Sequence, residues 1–286
     1  MKKLLANYPD IADARWVSFM SELNDVARRG ALAEYKSYSR VWEYPWLWFQ
    51  LDNSPRSLRV LDIGSERSAY PWLLAVKGFD VTVSDVTSSY WGLWRTAQRS
   101  LGVKPELKIL DTQALALPTA SFDVYQSVSI LEHVPDKAKA LEEAARVLRP
   151  GGLLLMSFDI CEAEMGMTFP KWNGRAVSMK ELDSLFADCL WFERGLSDVA
   201  WNLETIDEYW AWHRTTAEHH NYVTGAISVR RTDEPWISTP SESRRSDATY
   251  QEFKVEMQWR FGEFSRQIKG QLPRPVHSLL KRVIRG

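Results

Sequence analysis

Two residue types at one interval carry the first chemical hint. The run Val60-Leu61-Asp62-Ile63 ends on Gly64, and a second run, Val81-Thr82-Val83-Ser84, ends on Asp85. A glycine at a strand end lets a ligand approach the main chain, because no Cβ stands in the way. A carboxylate at the end of the next strand can accept hydrogen bonds from the vicinal hydroxyls of a ribose. Each residue alone has an ordinary explanation, a turn glycine and a helix N-cap. Together they point to a nucleoside-like ligand. A dinucleotide with a 2′-phosphate would require a basic residue beside Asp85, and Val86-Thr87-Ser88-Ser89 supply none. The phosphate-binding glycines of a dehydrogenase are also missing, since Gly64 is followed by Ser65-Glu66-Arg67-Ser68. No metal centre is indicated. Cys161 and Cys189 form no CxxC pair, and adjacent His219 and His220 cannot share one helix face.

These residues need a frame that brings strand ends together. From Leu58 onward short apolar runs alternate with amphipathic segments: strands near 59–64, 80–85, 106–110, 122–127 and 152–158, helices near 70–77, 90–101 and 136–148. That alternation predicts βαβ units on a parallel sheet with helices on both faces. Further strand-like segments, Phe192 to Val199 and Tyr222 to Arg231, bring the expected fold to a seven-stranded, doubly wound α/β sheet. Residues 178–190 read as a helix, and an aromatic helix, Thr205 to His219, interrupts the last two strands. Residues 1–57 carry helical periodicity and many aromatics without a strand pattern, and are expected to form a helical N-terminal lid. Residues 58–231 form the main domain, the Ser/Pro-rich stretch 232–247 a linker, and 248–286 a basic helical extension.

In order along the chain stand Val60-Leu61-Asp62-Ile63-Gly64, Val83-Ser84-Asp85, Asp111-Thr112-Gln113-Ala114-Leu115, Ser121-Phe122-Asp123-Val124, Leu131-Glu132-His133-Val134 and Arg146-Val147-Leu148-Arg149-Pro150-Gly151-Gly152. With these pieces in register, the segment from Arg59 to Phe158 resembles the class I S-adenosylmethionine-dependent methyltransferases. It is most similar to their large branch with a Leu-Glu-His-Val segment after the fourth strand of the series. The resemblance implies S-adenosyl-L-methionine as cofactor and S-adenosyl-L-homocysteine as product. It implies that Asp62, Gly64 and Ser65 form the turn at the methionine end, that Asp85 takes the ribose, and that Asp111 receives the adenine amino group with Thr112 beside the ring. Ser127 would lie near the sulfonium. Tyr35, Tyr38, Arg40 and Tyr44 resemble a lid over the cofactor. One departure stands out: Glu66 and Ser68 replace the second and third glycines of the family's turn, and Glu66 would repel the cofactor carboxylate unless Arg67 or Arg40 offsets it.

Methyl transfer from a sulfonium needs an in-line approach and, for a hydroxyl acceptor, a base within hydrogen-bond reach. His133 is the candidate, with a purely pocket-shaping histidine as the competing role. The expected reaction is O-methylation of a small molecule or glycan. N-methylation of a small metabolite is an alternative, and so is a non-catalytic binding module on the same fold.

Composition narrows the setting. The chain has 286 residues with 45% apolar content and two cysteines, enough to bury a core without disulfides, so a cytoplasmic location is expected. The net charge of −1 hides an imbalance: Arg260 to Gly286 holds seven basic residues against Glu263. An anionic body argues against nucleic acid as a partner. In the tail, Val276, Leu279, Leu280, Val283 and Ile284 alternate with basic residues as in a short interfacial helix on anionic lipid. Peripheral membrane contact there would suit a surface-polysaccharide precursor as acceptor. So would the tryptophans Trp42, Trp46, Trp48, Trp201, Trp210 and Trp212, whose flat faces suit sugar rings, although core packing accounts for many such residues.

Overall fold

The computed structural model describes residues 1–234 except 37, 165–173, 188, 197, 204, 206 and 209–221. Most of the expected aromatic helix and of the linker, and all of the basic extension, lie outside the described residues, as do Trp210, Trp212, His219 and His220.

Among the described residues, eight strands form one sheet. β1 (Lys2–Leu5) opens the chain, followed by α1 (Tyr8–Ala12), α2 (Ala14–Gly30) and α3 (Tyr38–Phe49). Then come β2 (Arg59–Ile63), α4 (Tyr70–Val76), β3 (Asp80–Asp85), α5 (Trp91–Leu101), β4 (Glu106–Ile109), β5 (Phe122–Val128), α6 (Lys137–Val147) and β6 (Leu148–Cys161). β7 (Val177–Ser178), α7 (Met179–Ala187) and β8 (Val223–Arg230) complete the described elements. The strand order is β1-β8-β6-β5-β2-β3-β4, with β7 paired to β6 off this path. β2 to β6 run parallel, whereas β8 lies antiparallel to β6 and β1 antiparallel to β8.

The parallel core matches the expected doubly wound sheet, and two details correct it. The N-terminal segment is not purely helical, because Lys2–Leu5 pairs Lys2 with Ser228 through Leu5 with Gly225. Four residues reading Lys-Lys-Leu-Leu carry too little pattern to announce a strand, and long-range pairing with the edge of β8 decides their conformation. The stretch 192–199 contributes a single bridge, Phe192 to Arg231, rather than a strand. Gly195 there adopts φ +88°, and the segment turns instead of extending.

Between β2 and β5 the chain reverses direction across the sheet: β3 and β4 build outward on one side of β2, β5 and β6 on the other. In a sheet wound this way the crevice at the carboxyl ends of those two central strands is where a ligand enters. Helix α3 reaches the ends of β5 and β6 through Arg40 and Glu43, and α2 packs against α3. α2 buries Trp16, Phe19, Leu23 and Val26 at helical spacing, and α3 buries Trp42, Trp46 and Leu47 against them. Trp42 stacks on Trp46 with centroids 5.8 Å apart, and Phe19 stacks on Trp48 at 5.8 Å. Trp42 and Trp46 are therefore core residues, and neither offers a face to a sugar.

Candidate functional site

The turn after β2 is built around a buried carboxyl. Asp62 accepts from Gln126 Nε2 of β5 at 2.7 Å through one oxygen and from the Ser65 hydroxyl through the other. Ser65 Oγ also accepts from Ser84 N at 3.2 Å, and Ser65 N donates to Ser84 O at 2.8 Å, so the turn is tied to β3 as well. Burial raises the Asp62 carboxyl to about 7, against the pull of these two donors.

Gly64 sits at φ +72°, and a Cβ built there would stand 2.1 Å from Ile130 Cδ1. Glycine is thus required twice, by backbone conformation and by the close approach of the segment after β5. Glu66 takes φ +42°, a left-handed conformation that costs a non-glycine residue roughly 1 kcal/mol. Its main chain is held there from both sides: Glu66 N donates to Asp85 Oδ2 at 3.1 Å, and Glu66 O accepts from Trp94 Nε1 at 2.8 Å. The Glu66 side chain is exposed. Its carboxyl is raised by partial desolvation foremost, then by Asp85, with Arg40 pulling the other way. Ser68 accepts from Tyr70 N at 3.1 Å at the start of α4 and donates to Tyr44 OH of α3 at 3.0 Å. The buried serine where a glycine was expected thereby ties the residues before α4 to α3.

Asp85 ends β3 nearly buried, accepting from Thr87 N and Glu66 N, each at 3.1 Å. Burial raises its carboxyl, and the backbone donors work against that shift. Beyond β4, Asp111 is half-buried and accepts from Gln113 N at 2.9 Å. Thr112 shares a hydrogen bond of 2.7 Å with Tyr125 OH, which turns its hydroxyl onto β5. Ser127 is buried near the end of β5, and its hydroxyl has no hydrogen-bond partner. The structure therefore brings Asp62, Gly64, Ser65, Asp85 and Ser127 to adjacent ends of β2, β3 and β5, with Asp111 and Thr112 one strand further out.

Arg40 reaches the same crevice from α3. Its Nη1 donates to Glu43 Oε2 and to Ser129 Oγ. His133 lies in a short 3-10 turn, Leu131–His133, and packs tightly on Gly174, where a Cβ would stand 2.2 Å from its Nδ1. Next to it a groove of about 560 Å³ opens between Pro135, Lys137, Arg175 and Leu185.

Reading the sequence missed three residues here. Tyr90 is half-buried, stacks on Trp94, and its phenol is raised to about 12 by burial first and then by Glu66 and Asp85. Glu43 and Asp159 flank the ends of β5 and β6. Only Tyr90 carried a usable signal, an aromatic within five residues of the ribose-type acid. Among the described residues no cluster of histidine, cysteine and acidic side chains could hold a metal ion.

The Gly64 turn, a near-buried acid at the adjacent strand end and an orphan hydroxyl thus lie together where the strand order reverses. Residues 61–156 match the family described as a methyltransferase domain. The match falls within the segment whose motifs resemble the class I S-adenosylmethionine-dependent methyltransferases, and it covers about a third of the chain. The 2-methyl-6-phytyl-1,4-hydroquinone methyltransferase of Synechocystis sp. is 34% identical over 111 residues, covering 38% of this chain and 35% of that protein. A ubiquinone biosynthesis O-methyltransferase of Sinorhizobium fredii is 31% identical over 102 residues, covering 36% and 41%. The chain thus spans less than half the length of these relatives. Among solved structures, geranyl diphosphate C-methyltransferase from Streptomyces coelicolor superimposes with a TM-score of 0.52 at 12% identity, covering 77% of this chain and 99% of that one. The [4+2]-cyclase SpnF gives 0.50 at 16% identity, covering 77% and 94%. These two likenesses show the fold.

Proposed function

We propose that the chain binds S-adenosylmethionine across the ends of β2, β3 and β4 and transfers its methyl group to an oxygen of a small-molecule acceptor. The observation that carries this reading is the pairing of the Gly64 turn with Asp85 at the point where the strand order reverses. Asp85 would accept from the ribose hydroxyls, Asp111 from the adenine amine, and the main chain around Gly64 would receive the methionine arm. Bound there, the cofactor supplies an activated methyl on a positively charged sulfur. The protein's part is to hold the acceptor in line, exclude water and take up a proton, and His133 is the proposed proton acceptor. The names of the sequence relatives support a hydroxylated small molecule as acceptor. A sugar-containing or polysaccharide-precursor acceptor is the finer form of the proposal, and with Trp42 and Trp46 in the core it rests mainly on sequence features outside the described residues. The same holds for peripheral membrane contact through the basic tail. Among the described residues no helix is long and apolar enough to cross a membrane.

A non-catalytic module, or a fold turned to other chemistry, is the competing reading, and Glu66 is the residue that favours it. A thermal-unfolding scan with S-adenosylmethionine, S-adenosylhomocysteine and NAD separates the two. A ligand at about a hundred times its dissociation constant adds roughly 2.7 kcal/mol, which raises the midpoint by about 5 to 10 °C in a domain of this size. The expected result is a shift with both sulfur nucleosides and none with NAD; no shift with either would sink the proposal. For His133→Ala the expectation is turnover reduced by about a hundredfold or more with cofactor affinity kept. Unchanged turnover would remove the base role.

A further inference from the structure

Across the crevice from Asp85, acidic side chains converge at the ends of β5 and β6 from three separate elements. Glu43 of α3 is 0% exposed and accepts from Ser129 Oγ and Ser157 Oγ, each at 2.8 Å, besides Arg40 Nη1. Glu132, in the turn after β5, is buried; its Oε1 accepts from Asp159 N at 3.4 Å, and its Oε2 has no hydrogen-bond partner. Asp159 of β6 is half-buried. Arg40 is the cation that shares this space. Lys137 of α6 acts on Glu132 from a greater distance and sits 3.7 Å from Glu181, which Arg175 also holds in a two-pronged pair. His133, the neighbour of Glu132, packs against Gly174. Three carboxyl groups thus face one guanidinium, and one buried carboxyl oxygen is left without a partner.

This cluster adjoins the turn at Gly64. Ser129, bonded to both Arg40 and Glu43, is held at φ +51°, and the next residue, Ile130, rests directly on Gly64. The orphan hydroxyl of Ser127 lies two residues before Ser129 on the same strand end. The methyl donor carries a positive charge on sulfur, whereas the product left after transfer is an uncharged thioether. An acid-rich wall beside the turn favours the first over the second.

We propose that Glu132 and Asp159, braced by Glu43 and Arg40, discriminate the charged methyl donor from its neutral product by releasing a proton when a sulfonium binds. This inference rests on the S-adenosylmethionine reading above. Protonation is available for such a switch: burial first, and then Glu43, raise Asp159 to about 7, and burial and then Asp159 hold Glu132 well above the usual carboxylate range. A sulfonium entering beside the pair would draw one proton off to solvent. Departure of the methyl group would let the proton return, weakening the hold on the product.

Isothermal titration calorimetry of the full chain at pH 7 tests this, in phosphate and in Tris, whose heats of ionisation differ. The ligands are S-adenosylmethionine, S-adenosylhomocysteine and sinefungin, which bears an ammonium in place of the methylated sulfonium. Wild type is expected to release protons on binding S-adenosylmethionine and sinefungin and none on binding S-adenosylhomocysteine. In Asp159→Asn, and in Glu132→Gln, the preference for the charged ligands is expected to fall by about tenfold, the equivalent of one lost neighbouring charge effect of one pK unit, with proton release abolished. Both substitutions keep side-chain shape, and Asp159 is less completely buried than Glu132, so that variant is expected to keep the fold even if Glu132→Gln does not. Equal proton release for all three ligands, or an unchanged preference in Asp159→Asn, would overturn the proposal alone. Absence of binding by all three would overturn it together with the cofactor reading.

Discussion

The two walls of the crevice are built differently. On the β2–β3 side the polar groups are positioned largely by main chain: Asp85 by the amides of Glu66 and Thr87, and the turn by Ser65 N on Ser84 O, with Ser84 N returning a bond to the Ser65 hydroxyl. On the β5–β6 side they are positioned by one another, through Glu43, Arg40, Ser129 and Ser157. A wall held by backbone tolerates change in side chains, because its donors survive substitution. A wall held by a buried side-chain network does not, since removing one member leaves the others unpaired.

Glu43→Ala probes that contrast hardest. It strands a guanidinium and two hydroxyls in a buried space, and the expected cost is about 3 to 5 kcal/mol, read as a fall in the thermal midpoint without ligand. A loss under about 1 kcal/mol would mean the network is not what holds α3 to the sheet. Asp85→Ala should behave in the opposite manner, leaving the fold largely in place and weakening S-adenosylhomocysteine binding by roughly 10- to 100-fold, the worth of about one charge-assisted hydrogen bond. Titration of the ligand against both variants separates the walls cleanly, and equal effects on stability would erase the distinction. The mildest test is pH. Asp62 at about 7 retains a proton that the unfolded chain sheds near 4, so the folded state binds more protons across that window. Stability from this group is present below about pH 4 and is lost as pH rises through 7, on the order of 1 kcal/mol per pH unit. The difference in unfolding free energy between wild type and Asp62→Asn, measured from pH 5 to 8, should trace that slope, and a flat difference would refute it.

The same contrast explains which parts could be read from the chain alone. Gly64 and Asp85 stand at the ends of consecutive strands, so periodicity located both and spacing joined them. Glu43 and Asp159 meet only because α3 folds back over the sheet, and nothing in their local sequence announces it. Ser68 looked like an obstruction to the cofactor. The order Ser68-Ala69-Tyr70-Pro71 is in fact a helix start, with proline in the first turn, and that signal was available. The pattern of β1 is too short to announce a strand, and in 192–199 the buried Phe192 and Leu196 give a strand-like spacing although Gly195 turns the chain.

β1 also bears on how the molecule reaches its native state. Lys2–Leu5 is synthesised long before its partner residues Gly225 to Ser228, which lie near the other end of the described chain. The edge of the sheet is therefore closed by a contact that spans almost the whole described length. Such closure is entropically dear and slow, and it leaves the outer edge of β8 open to other strands until it is made. Four residues outside the crevice thus decide whether that edge of the sheet is covered.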